Sequence, residues 1–202
     1  GGWGKRGAGI LADAGSPNLR GLFVSGNVAY GSNSGGGGLC VYNGGSPVLF
    51  SCVFIGNHAY WGGAVKLSTG SSAVLYNVLM LKNQADKGGA LVAWDSNASI
   101  IHSTIVDNNA TSGGGLYLGS GAIVALTNSI VWGNTATSSD NLFKIGSYLV
   151  ADHTVIQGGA GDLPDADPLF VDSVRIDYHL RLGSPLINAG NPDAVGGLPL
   201  DL

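Results

Sequence analysis

Short apolar runs alternate with turns of small polar residues along the whole chain, and they return in a fixed order. A typical unit contains the run Ala64-Val65-Lys66-Leu67, a turn over 68–72, and the run Ala73-Val74-Leu75-Tyr76. No segment has the 3.6-residue apolar period or the length of an amphipathic helix. The pattern predicts about three short strands and three turns in each unit of about 25 residues.

An asparagine ladder marks the repeat. Five times an asparagine is followed two residues later by an alanine, and successive asparagines lie 30, 26, 25 and 26 residues apart. They are Asn27, Asn57, Asn83, Asn108 and Asn134. One unit cannot bury its own apolar face, but stacked units can, with each strand pairing to the same strand of the next coil. We expect these stacked side-chain amides to bond to the backbone and to one another, which makes them structural rather than catalytic.

A glycine pair follows the asparagine at constant spacing in three coils. The second glycine comes six residues after Asn57, Asn83 and Asn108, but ten residues after Asn27. This difference predicts a four-residue insertion that loops out within 30–35.

These units resemble those of secreted right-handed parallel β-helix repeat proteins, including the GG(A/L) and N-x-A repeats of polymorphic outer-membrane-type surface proteins. NSIVWGNTA at 128–136, DADPLFVD at 165–172, DYHLRLGSPLINAG at 177–190 and the final LPLDL resemble the terminal segment of large bacterial surface β-helix proteins. The resemblance implies an all-β, right-handed parallel β-helix of about six coils. It also implies an extracellular or cell-surface location. Right-handedness agrees with the general preference for right-handed crossovers.

We predict a single domain with coils over 1–157 and an irregular capping segment over 158–202 that packs on the same solenoid. The final segment is rich in proline and has no further N-x-A unit, as expected of a cap that covers unpaired edges. The chain begins in mid-pattern with GGWGKRGAGI. Proteins of the resembling family usually continue past the end of this chain, so we expect a fragment or a processed product.

The composition excludes several functional classes. The chain has 35 glycines and 11% charged residues, and its 13 acidic residues are all aspartate, which suits turns better than helices. The nine lysines and arginines are scattered singly, which argues against a nucleic-acid partner. No apolar run is long enough for a membrane-spanning helix. Cys52 is predicted to point inward and Cys40 outward, and both a disulfide and free thiols remain open.

Strand alternation predicts an apolar stripe on the outside of the solenoid. In the strand before each ladder asparagine, the residues five and three positions before the asparagine should face inward. The residues four and two positions before it should then face outward. Seven of these eight outward residues are apolar, namely Val53, Ile55, Leu79, Leu81, Val106, Ile130 and Trp132; the eighth is Thr104. Such a stripe needs a partner. The alternatives are coverage by the chain's own tail, contact with another protein or filament, and an error in the assumed register.

A second outward set combines aromatic rings with lysines beside the glycine turn. Its members are Tyr60, Trp61, Lys66, Lys87, Trp94 and Tyr117, with Phe143 and Lys144 as further candidates. Aromatic rings stack on sugar rings, and cations bind hydroxyl and carboxylate groups, so this set is the natural place for a glycan. The alternative is that the rings only cover exposed sheet.

Catalytic chemistry has weaker support. Glycoside hydrolysis needs two carboxyl groups on either side of one bond, and Asp86 with Asp107, or Asp95 with a neighbour, form no compact pair. A β-elimination needs a base and a charge neutraliser; Lys66 and Lys87 could align, but no arginine or aspartate cluster accompanies them. The motifs expected of β-helix polygalacturonases are missing. We therefore assign no catalytic residue.

No metal or cofactor site is predicted. His58, His102, His153 and His179 come from different turn positions without ligand spacing. The aspartates at 162, 165, 167 and 172 could hold Ca²⁺, although Asp165 and Asp167 are expected to cap turns before Pro168.

The sequence therefore favours a non-catalytic extracellular structural or adhesive module. The partners it suggests are another copy of the chain, in lateral or end-to-end assembly, and a surface polysaccharide. The alternative is a polysaccharide lyase or glycoside hydrolase acting in a groove on the β-helix face.

Overall fold

The protein is described from a computed structural model over residues 3–194. The end of the predicted cap, 195–202, and residues 1 and 2 lie outside this range. Within it the chain is a parallel β-solenoid of six coils followed by a small antiparallel sheet. The only helical elements in this range are two 3₁₀ turns, Ser173–Arg175 and Pro192–Ala194. No helix among them has the length and apolar character needed to span a membrane.

Each coil contributes four strands. The first coil contains β1 (Trp3–Gly4), β2 (Ile10–Asp13), β3 (Asn18–Arg20) and β4 (Phe23–Ser25). The second contains β5 (Val28–Ala29), β6 (Leu39–Tyr42), β7 (Val48–Phe50) and β8 (Val53–Ile55). The third contains β9 (His58–Trp61), β10 (Val65–Ser68), β11 (Ser72–Tyr76) and β12 (Leu79–Leu81). The fourth contains β13 (Gln84–Lys87), β14 (Leu91–Trp94), β15 (Asn97–Ile101) and β16 (Thr104–Val106).

The last two coils follow the same order. The fifth contains β17 (Asn109–Ser112), β18 (Leu116–Leu118), β19 (Ile123–Thr127) and β20 (Ile130–Trp132). The sixth contains β21 (Thr135–Ser138), β22 (Leu142–Lys144), β23 (Tyr148–Asp152) and β24 (Val155–Ile156). Equivalent strands of successive coils pair in parallel and form four six-stranded sheets. We call them sheets A, B, C and D, in the order of the strands within a coil.

The solenoid of about six coils is confirmed, but each coil has four strands where the sequence predicted about three. The difference lies between sheets C and D, where one residue per coil has a positive φ and bends an apparently continuous run. In the first five coils this residue lies six positions before a ladder asparagine. The residues are Gly21, Ser51, Asn77, His102 and Asn128, and the equivalent residue of the last coil is His153. A left-handed residue turns the chain sharply, and glycine and asparagine adopt this conformation at the lowest cost.

The glycine pairs form the corner between sheets A and B. The first glycine of each pair has a positive φ, as at Gly62 with 65° and Gly88 with 63°. The second lies against the next coil: a Cβ on Gly63 would lie 2.4 Å from the carbonyl oxygen of Gly89, and one on Gly89 would lie 2.3 Å from that of Gly114. Only glycine allows this approach, because a real Cβ does not come within 3.0 Å of such an atom.

The predicted insertion is present in the second coil. Val28 pairs with His58, and Gly35 forms a bridge with Trp61. Gly35 comes seven positions after Val28, whereas Trp61 comes only three positions after His58. The second coil therefore has four extra residues at this point. The chain loops out between Ala29 and Gly35 and then returns to register.

The core fills the space between the four sheets with stacked apolar side chains. Phe54, Leu67, Met80 and Ile105 are completely buried, and they belong to one continuous cluster. Such columns exclude water along the whole rod, which is the main stabilising contribution of a solenoid core.

Both cysteines are free and buried. Cys52 points into the core, as predicted. Cys40 lies outside the core cluster, between Leu11 and Lys66 in sheet B, but it is only 1% exposed. Burial raises the pKa of the Cys40 thiol, although the positive charge of Lys66 opposes this shift.

After the last coil, the chain folds back along the solenoid. Strands β25 (Phe170–Asp172) and β26 (Asp177–Leu180) form an antiparallel hairpin. The hydroxyl of Tyr178 donates to Asp107 Oδ2 at 2.6 Å. Further along, Asn191 and Asn128 exchange two hydrogen bonds, of 2.7 and 2.9 Å. These bonds fix the C-terminal segment beside sheet D.

Candidate functional site

The ladder asparagines form a continuous hydrogen-bonded column at the corner between sheets D and A. From Asn57 to Asn134, each Oδ1 accepts from the backbone N–H and from the side-chain amide of the asparagine in the preceding coil, at 2.9–3.1 Å. The side-chain amides of Asn83 and Asn108 also donate to backbone carbonyls of the preceding coil. All five side chains are buried. Their hydrogen-bonding capacity is used inside the scaffold and does not reach a ligand.

A second polar column supports the corner between sheets C and D. The backbone N–H of Val78 donates to Ser103 Oγ at 3.0 Å, that of Ser103 to Ser129 Oγ at 3.2 Å, and that of Ser129 to Thr154 Oγ1 at 3.2 Å. Strand alternation predicts the inward direction of Ser103 and Ser129, but it does not predict the hydroxyl column. The spacing of 26 and 25 residues between Ser103, Ser129 and Thr154 is the signal that could have revealed it.

The aromatic and lysine residues meet on the outside of sheets A and B. We call Tyr60, Trp61, Lys66, Lys87, Trp94 and Tyr117 the aromatic–lysine surface. The Trp61 ring lies 5.9 Å from the Trp94 ring and 5.8 Å from the Tyr117 ring, edge to face in both cases. Tyr60 packs on Trp61 at 5.6 Å. The six residues come from three successive coils, and the parallel register brings them together.

Tyr117 is an exception to the predicted exposure of this surface. Its ring is stacked on Phe143 at 4.6 Å and on Trp94 at 6.4 Å, and only 5% of the residue is exposed. Neighbouring rings of adjacent coils therefore cover it. Trp94, at 39% exposed, is the ring that this surface presents most openly.

The lysines lie over the aromatic rings. Lys66 Nζ is 5.8 Å from the centre of a Trp61 ring, and Lys87 Nζ is 5.4 Å from Trp61 and 5.1 Å from Tyr117. Contacts of this kind stabilise both the cation and the ring. No carboxylate forms an ion pair with either lysine among residues 3–194. Lys144 is exposed at the end of β22, but its register partner is Leu118 of the core, so it is not on the same face of the sheet as Phe143 and Tyr117.

A cleft of about 350 Å³ lies between Trp61 and Trp94. It is lined by Asn33, Tyr42, Trp61, Lys66, Ser68, Thr69, Val92 and Trp94. Asn33 belongs to the insertion, which therefore forms one wall. Burial lowers the pKa of Lys66; the electrostatic interaction with Cys40 opposes this shift and the positive charge of Arg6 adds to it.

The apolar stripe is largely covered. Leu81 and Val106 are buried, and the other five apolar members are partly buried. A cleft of about 380 Å³ separates the outer face of sheet D from the C-terminal hairpin, with Val53 and Leu79 on one side and Ile176 and Tyr178 on the other. The hairpin thus occupies the side of the solenoid on which the stripe lies. The Nε2 atom of His102, which also lines this cleft, is enclosed without a hydrogen-bond partner.

The structure does not bring the candidate carboxylates together. Asp86 lies on β13 and lines a cleft with His58 and Gln84 that does not include Asp107. Asp107 is held by Tyr178 at a corner of the solenoid. Asp95 occupies a different corner, with a φ of 48°.

The four aspartates considered for Ca²⁺ are used at separate turns. Asp162 accepts the backbone N–H groups of His153 and Thr154, at 2.7 and 2.8 Å. Asp165 accepts from Gly158, and Asp167 from Leu169. Asp172 caps the 3₁₀ turn by accepting from Arg175.

A different group has the geometry to hold a cation. Ligand atoms of Asp152, His153 and Asp162 all lie within 4.8 Å of one another. His153 Nδ1 is 2.8 Å from Asp152 Oδ1, and Asn191 donates to the second Asp152 oxygen at 3.0 Å. The sequence did not indicate this trio, because Asp162 reaches the other two only when the chain folds back after the last coil.

Comparison with known families gives one match, a family model described as "Right handed beta helix region", which covers residues 4–153. Comparisons with curated proteins and with solved structures give no match. The matched residues contain all of the aromatic–lysine surface and almost all of the six coils.

Proposed function

This chain belongs to the right-handed β-helix family, and we propose that it is a non-catalytic extracellular module that binds carbohydrate on its aromatic–lysine surface. The fold alone does not select this role, because β-helix scaffolds serve both enzymes and structural proteins. The proposal includes an adhesive function at a cell surface, with a surface polysaccharide as partner.

The observation that carries the proposal is the combination of an open indole with unpaired cations on a rigid sheet. The Trp94 ring is partly exposed beside Trp61, and Lys66 and Lys87 have no acidic partner within the described chain. Aromatic faces pack against the apolar faces of sugar rings, and charged groups bond to their polar substituents. Because continuous backbone pairing holds these side chains in place, little freedom is lost when a ligand binds.

Binding to an immobilised glycan array tests the proposal. The wild-type chain should bind a defined group of glycans, and Trp94→Ala should lose that binding. Tyr148→Ala is the matched control, because Tyr148 is 73% exposed on sheet C, away from the aromatic–lysine surface. Absence of glycan binding, or an equal loss in both variants, would overturn the proposal.

The lowered pKa of Lys66 favours a second candidate, a polysaccharide lyase in which this amine removes a proton. Turnover of uronate polymers to unsaturated products, followed by ultraviolet absorbance, tests it. Activity that disappears in the Lys66→Ala, Lys87→Ala double variant would replace the non-catalytic proposal. Bound but uncleaved polymer would retain it.

A further inference from the structure

One buried hydroxyl in the cleft between Trp61 and Trp94 has no partner. Ser68 is 8% exposed, and its Oγ atom is enclosed without a hydrogen bond. Nearby hydroxyls are satisfied, since Ser71 Oγ donates to Ser68 O at 2.6 Å and Ser96 Oγ donates to Leu67 O at 3.2 Å. Buried polar groups normally find a partner because an unpaired one destabilises the fold. The Ser68 hydroxyl, on a residue that lines the cleft, therefore still has a hydrogen bond to make.

The same cleft carries positive charge without an acidic partner. Lys66 lines it, and the Arg6 guanidinium lies 4.3 Å from the ring of Tyr42, which also lines it. The ion pairs among residues 3–194 all lie in the region after β22 and include neither cation. Asp13, on the same sheet, accepts a hydrogen bond from Asn43 at 2.7 Å. A partly buried cation in this position attracts an anionic group.

Two glycines let the side chains of the cleft lie close to the backbone. A Cβ on Gly35 would lie 2.2 Å from Lys66 Cδ, and one on Gly119 would lie 2.1 Å from Trp94 Cε3. The long stem of Lys66 therefore lies across the first residue after the insertion, and the Trp94 indole lies across the strand end that follows β18. Ser68 pairs with Trp94 in the register of sheet B, which places the small hydroxyl beside the indole.

We infer that this cleft binds a sugar residue that carries a carboxylate or sulfate group. The ring packs against Trp61 and Trp94, the anionic group pairs with Lys66, and a sugar hydroxyl bonds to Ser68. Rotation of the Ser68 side chain about its Cα–Cβ bond turns the enclosed hydroxyl into the cleft, so the Trp94 indole stays in place against the sugar ring. This inference rests on the proposed function, because it names the class of sugar that the aromatic–lysine surface takes.

Matched oligosaccharides that differ only in charge test the inference. The probes are an oligogalacturonic acid, the same oligosaccharide with every carboxylate methyl-esterified, and a sulfated oligosaccharide from chondroitin sulfate. Calorimetry with the full chain should show binding of at least one anionic probe, weaker binding at higher salt, and a change in tryptophan fluorescence. The methyl ester should bind at least about tenfold more weakly, which is the effect of losing one charge-assisted hydrogen bond. The two anionic probes distinguish carboxylate from sulfate recognition.

Four variants separate binding from folding. Lys66→Gln should weaken binding of the anionic probe about tenfold, whereas Lys82→Gln, at an exposed corner, should not. Ser68→Ala should weaken binding about fivefold and leave the melting temperature unchanged or higher, because no hydrogen bond is lost in the free protein. Ser103→Ala should lower the melting temperature, because Ser103 Oγ accepts from Val78, and should leave binding unchanged.

The possible outcomes distinguish this inference from the proposed function. Equal binding of the acid and its methyl ester, no binding of either anionic probe, or full affinity in Lys66→Gln would overturn the inference. If the glycan array still showed neutral glycans bound in a Trp94-dependent manner, the proposed function would stand alone. If the array showed no glycan at all, both would fall.

Discussion

The side-chain oxygen of Asn141 accepts hydrogen bonds from both the backbone N–H and the side-chain amide of Asn134, at 3.3 and 2.9 Å. Asn141 therefore takes the place of the asparagine that a seventh coil would supply. Its own amide lies 3.3 Å from Gln157 Oε1, which also accepts from the N–H of Gly133 at 2.8 Å. The ladder thus ends in a closed set of amides and not in unpaired donors.

The ladder should make a large contribution to stability. Asn108→Ala removes the acceptor for two donors of Asn83 and leaves buried groups unpaired, so we expect the free energy of unfolding to fall by about 2–4 kcal/mol. Chemical denaturation measures this change. The control is Asn109→Ala, whose exposed amide bonds to Thr135 and whose loss should cost within about 0.5 kcal/mol. Equal losses in the two variants would contradict a special role for the buried column.

Gly119→Ala should move the Trp94 indole without unfolding the protein. The new Cβ would overlap the ring, and a partly exposed ring can turn away at low cost. We expect a changed tryptophan signal in near-ultraviolet circular dichroism, weaker glycan binding and a melting temperature close to that of the wild type. Gly15→Ala is the control. Apart from atoms of the two adjacent residues, the atom nearest to the new Cβ would be the carbonyl oxygen of Asp13 at 3.8 Å, so no ring should move. An unchanged tryptophan signal in Gly119→Ala would show that the indole does not depend on this glycine.

The C-terminal hairpin should control how much of the apolar stripe is accessible. Tyr178→Ala removes the hydrogen bond to Asp107 and the ring contact with Phe170, so the hairpin should detach more easily. Light scattering over a concentration series should then show larger particles than the wild type, with more binding of a hydrophobic dye. The milder variant Tyr178→Phe keeps the ring contact but loses the hydrogen bond to Asp107, so it should lie between Tyr178→Ala and the wild type. Identical particle sizes in all three proteins would argue against the stripe as an assembly surface.

Acid should loosen the segment that follows the last coil. Burial disfavours the charge of Asp162, but the N–H groups of Thr154 and His153 favour it more strongly, and the pKa of this carboxyl is lowered. Its contribution to stability is therefore present above its unfolded pKa of 3.8 and is lost as the pH falls through the folded value. Asp162→Asn should lower the melting temperature at neutral pH, and the difference from the wild type should shrink on acidification. Asp165 accepts only one backbone N–H, which the remaining oxygen of an asparagine can still accept, so Asp165→Asn should have a smaller effect.

Binding of an anionic glycan should weaken at alkaline pH. Burial lowers the pKa of Lys66, and Arg6 adds to this effect while Cys40 opposes it, so the amine loses its proton at a lower pH than an exposed lysine. Besides Arg6, the cation near the Lys66 amine is Lys87, which lies over the same Trp61 ring. Affinity measured from neutral to alkaline pH should therefore fall in the wild type and remain nearly constant in Lys66→Arg. A parallel fall in both proteins would assign the titration to another group.

Much of the scaffold follows from residues that recur at fixed intervals. The asparagine column, the glycine pair and the insertion before Gly35 each leave a direct trace, because every coil must repeat the same backbone geometry. The corner between sheets C and D is harder to recognise in the sequence. Asn77 and His102 interrupt apolar runs that otherwise read as single strands, and their left-handed conformation is visible only in the folded chain.

The candidate site is less predictable than the scaffold because it depends on how side chains of different coils lean over one another. Alternation places Tyr117 outside the core, but the rings of Trp94 and Phe143 close over it. The unpaired hydroxyl of Ser68 likewise has no signature in the sequence. The trio of Asp152, His153 and Asp162 forms only because the chain reverses after β24.

The insertion in the second coil shows where this architecture accepts extra residues. Four residues are added between sheets A and B, yet Gly35 returns to register and the strands that follow stack without a shift. One of the added residues, Asn33, reaches the cleft. Loops of different length or composition exchanged at this corner would alter ligand selectivity while the rod stayed intact, so both evolution and protein engineering could diversify recognition there.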